Sequence, residues 1–128
     1  MRAQEHSWIN FIIGAVHGIF RCKMESDVTK ISPDPLEVVV SALASGAGAM
    51  LTHRLPDIID PPTSPRHRNV GHGVLPIGFA SVTAYRAAQS VQNPIARRFL
   101  EGAAIGPAGH LLADASTPAG VNLIARGF

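Results

Sequence analysis

Apolar and polar positions along this chain fall into blocks. Apolar stretches at about residues 8–20, 36–52, 74–85 and 99–113 are separated by polar, proline-rich segments. No period-two alternation of any length appears, so the pattern predicts an all-α fold. The first helix is expected over about residues 7–21, with Ser7 as its N-cap. The segment MESDVTKISPDP reads as a polar connector closed by Pro33 and Pro35. A second helix follows over 35–52, with Glu37 near its start, where the helix dipole favours an acid. A third runs from near Gly71 to about Gln89, with Pro76 in its first turns as an expected kink. Asn93-Pro94 opens a fourth, through Arg97, Arg98 and Leu100 to about Ala115, and Gly106-Pro107 is its expected break. Residues 53–72, punctuated by Pro56, Pro61, Pro62 and Pro65, carry no predicted element. A loop of that length inside a compact domain is usually functional or disordered. The expected architecture is a small bundle of four to five helices with a long irregular loop.

A length of 128 residues makes one helical domain. Runs such as SALASGAGAM and EGAAIGPAG would let helices approach closely. The single cysteine, Cys22, excludes a disulfide framework and a zinc site built on cysteine pairs, and fits a reducing compartment. The net charge of +2, without a basic run or an aromatic stacking set, gives no support to nucleic-acid binding. The start, MRAQEHSWINFIIGAVHGIF, resembles a targeting sequence only superficially. Glu5 and His6 precede the apolar run, Asn10 and His17 break it, and no small-residue cleavage site follows. A membrane span needs about 20 predominantly apolar residues, and residues 36–51 come closest. The first stretch carries His17, the third meets Pro76 and Arg86, and the fourth holds Glu101, His110 and Asp114. With a mean hydropathy of +0.18, the expected form is a compact bundle lying against a membrane rather than embedded in it.

The chemistry is concentrated in two places. HRLPDIIDPPTSPRHRNVGH runs from His53 to His72, and GHLLADASTPAG carries His110 and Asp114. Together they hold four of the six histidines and three of the five aspartates. Imidazole, carboxylate and water suit zinc, manganese or iron. The blander reading is a polar loop with solvated histidines, and a single His-Asp pair would favour it; two clusters beside helical sequence favour metal. His110 and Asp114, four apart, project from one helix face. They could be two ligands, a ligand and the carboxylate that orients it, or a buried histidine satisfied by its neighbour. His53, Asp57 and Asp60 would share a face in a helix, which Pro56 makes doubtful. Arg54, Arg66 and Arg68 either hold a phosphate or carboxylate or form a solvated rim. Ligands from distant segments without cysteine favour a catalytic site with an open position over a closed structural one.

LPDIIDPPTS, HRNVGHG and GHLLADASTPAG resemble the three signature blocks of the LexA-regulated, inner-membrane metal-dependent hydrolase family (YdjM-like). The family pattern is approximately L-P-D-x-D-H-P-x-S, then H-R-G-x-T-H-S, then S-H-L-x-x-D-x-x-T-x-x-G. Asp57 matches the first acid, Pro61 the proline, and Ser64 falls close to the serine. His67, Arg68 and His72 match the second block; His110, Asp114, Thr117 and Gly120 match the third. The resemblance covers about residues 40–124. Ile59 stands where the family has its second aspartate and Asp60 where it has histidine. Asn69, Gly71 and Gly73 replace Gly, Thr and Ser. His53 and His17 are the histidines that could stand in for the missing one as support for a second metal.

The resemblance implies a helical, membrane-associated protein with a metal-dependent hydrolase site. Because the family's site is similar to that of zinc-dependent phospholipase C and single-strand nucleases, it also implies a phosphoester substrate. The expected metal set is Asp57, Asp60, His67, His72, His110 and Asp114, holding one or two divalent ions, zinc first and manganese or iron next. Asp60 is the expected general base, or Asp57 if it is unligated, and Arg68 would stabilise developing negative charge. A small-molecule or lipid-like substrate and a membrane are the expected partners, with the protein at the inner membrane and its site facing the cytoplasm. The competing expectation is a non-catalytic membrane or assembly protein in which the His/Asp cluster is a structural metal site or polar glue.

Overall fold

A computed structural model describes residues 3–61, 63 and 70–115. Among these the chain is all-α. It comprises α1 (Ala3–Thr29), α2 (Pro35–Thr52), a short α3 (Leu55–Ile59), a 3-10 turn at Val70–His72, α4 (Val74–Ala88) and α5 (Pro94–Ala115).

The second helix has the predicted bounds, and its start is chemically explicit. Pro35 occupies the first turn, where a missing N–H costs nothing, and the Asp34 carboxylate accepts the Leu36 N–H at 2.9 Å. The first helix is longer than predicted. Half of the expected connector is helical, because Glu25 pairs with Arg21 one turn earlier and with Arg98 of α5, which draws two more turns into the bundle. Ser7 is accordingly not a cap but a buried residue inside α1. Pro56 does not prevent helix at 55–59, since it falls in the first turn of α3.

Pro107 was the expected break in the fourth helix, yet α5 continues through it. A proline at 107 leaves the carbonyl of Ala103 without its i+4 donor. The Thr52 hydroxyl of α2 donates to that carbonyl at 2.7 Å. A lost bond within α5 is thus replaced by one between helices. Gly106 and Gly102 make the approach close enough, because a Cβ on Gly106 would strike Thr52 and Ala49, and one on Gly102 would strike the backbone of Ser45.

These contacts pair Ser45 with Gly102 and Ala49 with Gly106, so α2 and α5 run parallel. Gly14 meets Ser45 and Gly18 meets Ser41, so α1 runs antiparallel to α2. The starts of α1 and α4 and the ends of α2 and α5 therefore gather at one end of the bundle.

The interior is polar to an unusual degree. Among the described residues, Asn10, Ser45, His72 and Glu101 are fully buried. The buried apolar residues are mainly alanines with Ile77 and Leu111. Large apolar side chains face outward, including Trp8, Ile12, Val16 and Phe20 on α1, Leu36, Val39 and Leu43 on α2, and Phe79 at 77% exposure on α4. Polar groups point inward and apolar groups outward along much of the bundle, the reverse of a water-soluble core.

Candidate metal centre

The gathered end brings together side chains from four segments. His72 comes from the 3-10 turn, Asp57 from α3, His110 and Asp114 from the last turns of α5, and His6 from the start of α1. The i,i+4 spacing of His110 and Asp114 puts both on the inward face of α5, with His110 Nε2 3.6 Å from Asp114 Oδ2. Asp57 Oδ1 lies 3.2 Å from His72 Nε2 and 3.7 Å from His110 Nε2. His72 Nε2 is 3.8 Å from Asp114 Oδ2. Two nitrogens and two oxygens thus converge from positions far apart in sequence.

Only the 3.2 Å contact qualifies as a hydrogen bond; separations of 3.6–3.8 Å are too long for one. They lie nearer to another geometry, at its upper edge and slightly beyond. Metal–ligand bonds of about 2.0–2.2 Å in a tetrahedron place neighbouring ligand atoms about 3.3–3.6 Å apart. Two groups of these residues, Asp57 with His72 and His110, and His6 with His110 and Asp114, could each hold a metal ion.

Burial is deep on one side and open on the other. The side chains of His72, His110 and Asp114 are 0%, 4% and 5% exposed, whereas that of Asp57 is 36% exposed. Burial is the strongest influence on His110 and pushes its pKa below the ordinary histidine value, against the pull of the Asp57 and Asp114 carboxylates. The neutral imidazole is the form that ligates metal.

Asp60 takes a different place from Asp57. Its Oδ2 accepts the Gly71 N–H at 2.6 Å and lies 3.7 Å from His72 Nδ1, the ring nitrogen turned away from the other ligands. A Cβ on Gly71 would meet Pro56 O and Asp60 Oδ2. Asp60 and Gly71, two of the positions that depart from the hydrolase-family pattern, are therefore in contact with each other. His67 and Arg68 lie outside the described residues.

The two stand-in histidines have other hydrogen-bond partners, although the His53 ring lies 6.2 Å from that of His110. His53 bonds Met50 O through Nδ1, and Ser7 Oγ donates to its Nε2 at 3.1 Å. His17 bonds Ser45 Oγ and Tyr85 Oη at 3.1 and 3.0 Å. The histidine that does reach the cluster is His6, with Nε2 4.0 Å from Asp114 Oδ1 and its ring centroid 5.0 Å from that of His110. The sequence carried a signal for it: His6, Asn10, His17, Arg21 and Glu25 lie at helical spacing, opposite Trp8, Ile12, Val16 and Ile19. That stripe marks the face of α1 turned into the bundle.

The opposite end holds a second polar cluster, which the sequence did not announce. The Arg98 guanidinium contacts Glu25 at 2.5 Å and Glu101 at 2.9 Å. Arg21 reaches Glu101 at 3.4 Å, Arg97 reaches Glu25 at 3.4 Å, and Gln89 donates to Glu101 at 2.8 Å. Burial opposes ionisation of Glu101, but the Gln89 amide and the Arg98 and Arg21 charges outweigh it and hold its pKa below the usual glutamate range.

Among the described residues, one helical segment, Pro35–Ile59, is long and apolar enough to cross a membrane. No family model matches the chain, and neither a curated protein nor a solved structure matches it.

Proposed function

We propose that this protein is a metal-dependent hydrolase acting on a phosphoester at a membrane surface, with zinc as the preferred ion. The observation that carries this reading is the set of four converging ligand atoms, His72 Nε2, His110 Nε2, Asp57 Oδ1 and Asp114 Oδ2, spaced by 3.2–3.8 Å. That N₂O₂ spacing suits zinc, and the absence of any thiolate among the ligands suits a reactive site. A bound divalent ion would lower the pKa of a coordinated water toward neutrality and polarise a phosphoryl oxygen.

The chain's own residues divide the remaining work. Asp57, the exposed member of the set, sits where substrate would enter. If the ion leaves it free, it is within reach to take a proton from water. Asp60 was the expected base, but its position behind His72 suits a positioning role: it fixes the Gly71 turn and orients the His72 imidazole. Arg68 keeps its expected role as the cation for developing phosphate charge. The outward apolar side chains of α1 and α2 support attachment to a membrane, as does the apolar segment Pro35–Ile59.

The alternative of a non-catalytic assembly protein draws on the full burial of His72. The exposure of Asp57 favours the enzyme. Purified protein should release p-nitrophenol from bis(p-nitrophenyl) phosphate, stop on chelation, recover with zinc, and be inactive as Asp57→Asn. Metal-replete protein of native helicity that hydrolyses neither this diester nor phospholipid would overturn the enzymatic reading. Membrane fractions washed with alkaline carbonate test attachment, and protein found wholly in the soluble fraction before any wash would refute it.

A further inference from the structure

Asp114 presents its two oxygens to different histidines. Oδ2 faces His72 and His110 at 3.8 and 3.6 Å, while Oδ1 faces His6 at 4.0 Å. A carboxylate addressed by nitrogens from both sides has the arrangement of a bridge between two cations. From this we infer that the centre holds two divalent ions, with His6 of α1 as the principal ligand of the second and Asp114 spanning both. The inference rests on the hydrolase reading for the first ion and adds His6, a ligand that the sequence motifs do not contain.

Two further observations bear on the second position. His6, His110 and Asp114 are all buried, and their candidate ligand atoms lie within 4.8 Å of one another. Solvent cannot hydrate this group as it would an exposed acid and imidazole. His110 already gives Nε2 to the first ion, so His6 Nε2 and Asp114 Oδ1 are the side-chain atoms left for the second. Asn10, one turn along α1 on the same face as His6, is fully buried. Its Nδ2 donates to the His6 carbonyl, while its Oδ1 lies against Gly109 without a hydrogen-bond partner. Buried polar atoms left without partners are rare in folded proteins, and an ion with its water is one way of satisfying them. An amide oxygen is also an ordinary ligand for the harder divalent ions.

Two ions about 3.5–4 Å apart clamp the entering and leaving oxygens of an in-line displacement at phosphorus. A second ion would therefore extend the same phosphoester chemistry. It would also make α1 part of the reactive centre, since α1 contributes nothing to the first ligand set.

The test is metal stoichiometry with a spectroscopic readout on the full-length protein. Apoprotein is loaded with Mn²⁺, and bound metal is counted by mass spectrometry and examined by electron paramagnetic resonance. Wild type should hold two ions per chain and give the exchange-coupled spectrum of a manganese pair. His6→Ala should hold one and give an isolated six-line signal, with unchanged helicity by circular dichroism. The coupled spectrum of wild type supports the inference even if the variant fails to fold. One uncoupled ion in wild type would overturn the second site and leave the hydrolase reading standing. No bound ion under any loading would overturn both.

Discussion

The two ends of the bundle treat buried charge in opposite ways. At the end holding α1's C-terminus, Arg21, Glu25, Arg97, Arg98, Gln89 and Glu101 pair charge with charge, with contacts as close as 2.5–2.9 Å, although the Nε atoms of the three arginines are buried without a hydrogen-bond partner. At the other end, most contacts among His6, Asp57, His72, His110 and Asp114 lie at 3.6–4.0 Å, longer than a hydrogen bond. Nine residues of α5, about 14 Å of helix, separate Glu101 from His110. In the first cluster every charge has an opposite charge in contact. The second has a spacing that could hold a metal ion, and this contrast, more than the residue types themselves, separates the two ends.

The contrast is broken most severely by attacking the first cluster. Glu101→Ala leaves the buried Arg98 without its fully buried counter-charge and should lower stability to denaturant by about 3–5 kcal/mol. The double replacement Glu101→Leu with Arg98→Met should recover most of that loss. A single-variant cost below about 1 kcal/mol would show that this end is hydrated and that the contrast is false. Glu101 is held ionised, with a folded pKa below its unfolded value. Its contribution should therefore be complete above the ordinary glutamate pKa of about 4.3 and fade as pH falls through the lower folded value.

At the other end the order of effects reverses. His110→Ala should abolish metal binding while leaving helicity intact. At a metal concentration of about 100 times the dissociation constant, a chelator should lower wild-type stability by about 2.7 kcal/mol and leave the variant unchanged. Thermal unfolding with and without chelator checks this, and a variant that unfolds without metal in any buffer would make the cluster a structural element of the fold.

The fold was legible where local chemistry decides and obscure where distant partners do. Pro35, Asp34 and the helix dipole set the start of α2 from within a few residues. The end of α1 could not be read, because Glu25 is held by arginines more than 70 residues away. Pro107 misled for the same reason, since its consequence depends on whether a hydroxyl from another helix is present. In the site, His72, His110, Asp57 and Asp114 stood out by spacing and residue type. His6 did not, because it lies 51 residues before the nearest of these ligands and reads as the edge of an apolar helix. Its signal was the inward polar stripe of α1, which has meaning only once the interior is known to be polar. His67 and Arg68, named from the sequence, lie outside the described residues.

Two smaller effects sharpen the contrast further. Asp60→Asn keeps the shape but removes the charge facing His72, and should weaken metal binding by about 10–100-fold, read by titration with a competing chelator. An unchanged affinity would reduce Asp60 to a loop fastening. Thr52→Val lies between the two ends and should cost about 1–3 kcal/mol by leaving the Ala103 carbonyl unpaired. Its metal affinity should fall only if the seating of α5 on α2 governs the centre.

That hydroxyl has a consequence for motion. An ordinary pair of parallel, small-residue helices can slide past one another by fractions of a turn at little cost. Here a single acceptor on α5, freed by Pro107, fits a single donor on α2. A slip of one residue in either direction strands the Ala103 carbonyl, while the Thr52 hydroxyl keeps the Gly48 carbonyl of its own helix. The pair therefore has one seating in place of a continuum, and the separation between α3, which follows α2 directly, and the ligand-bearing end of α5 is inherited from it. Spacing among Asp57, His110 and Asp114 is thereby gauged at a point outside the centre itself.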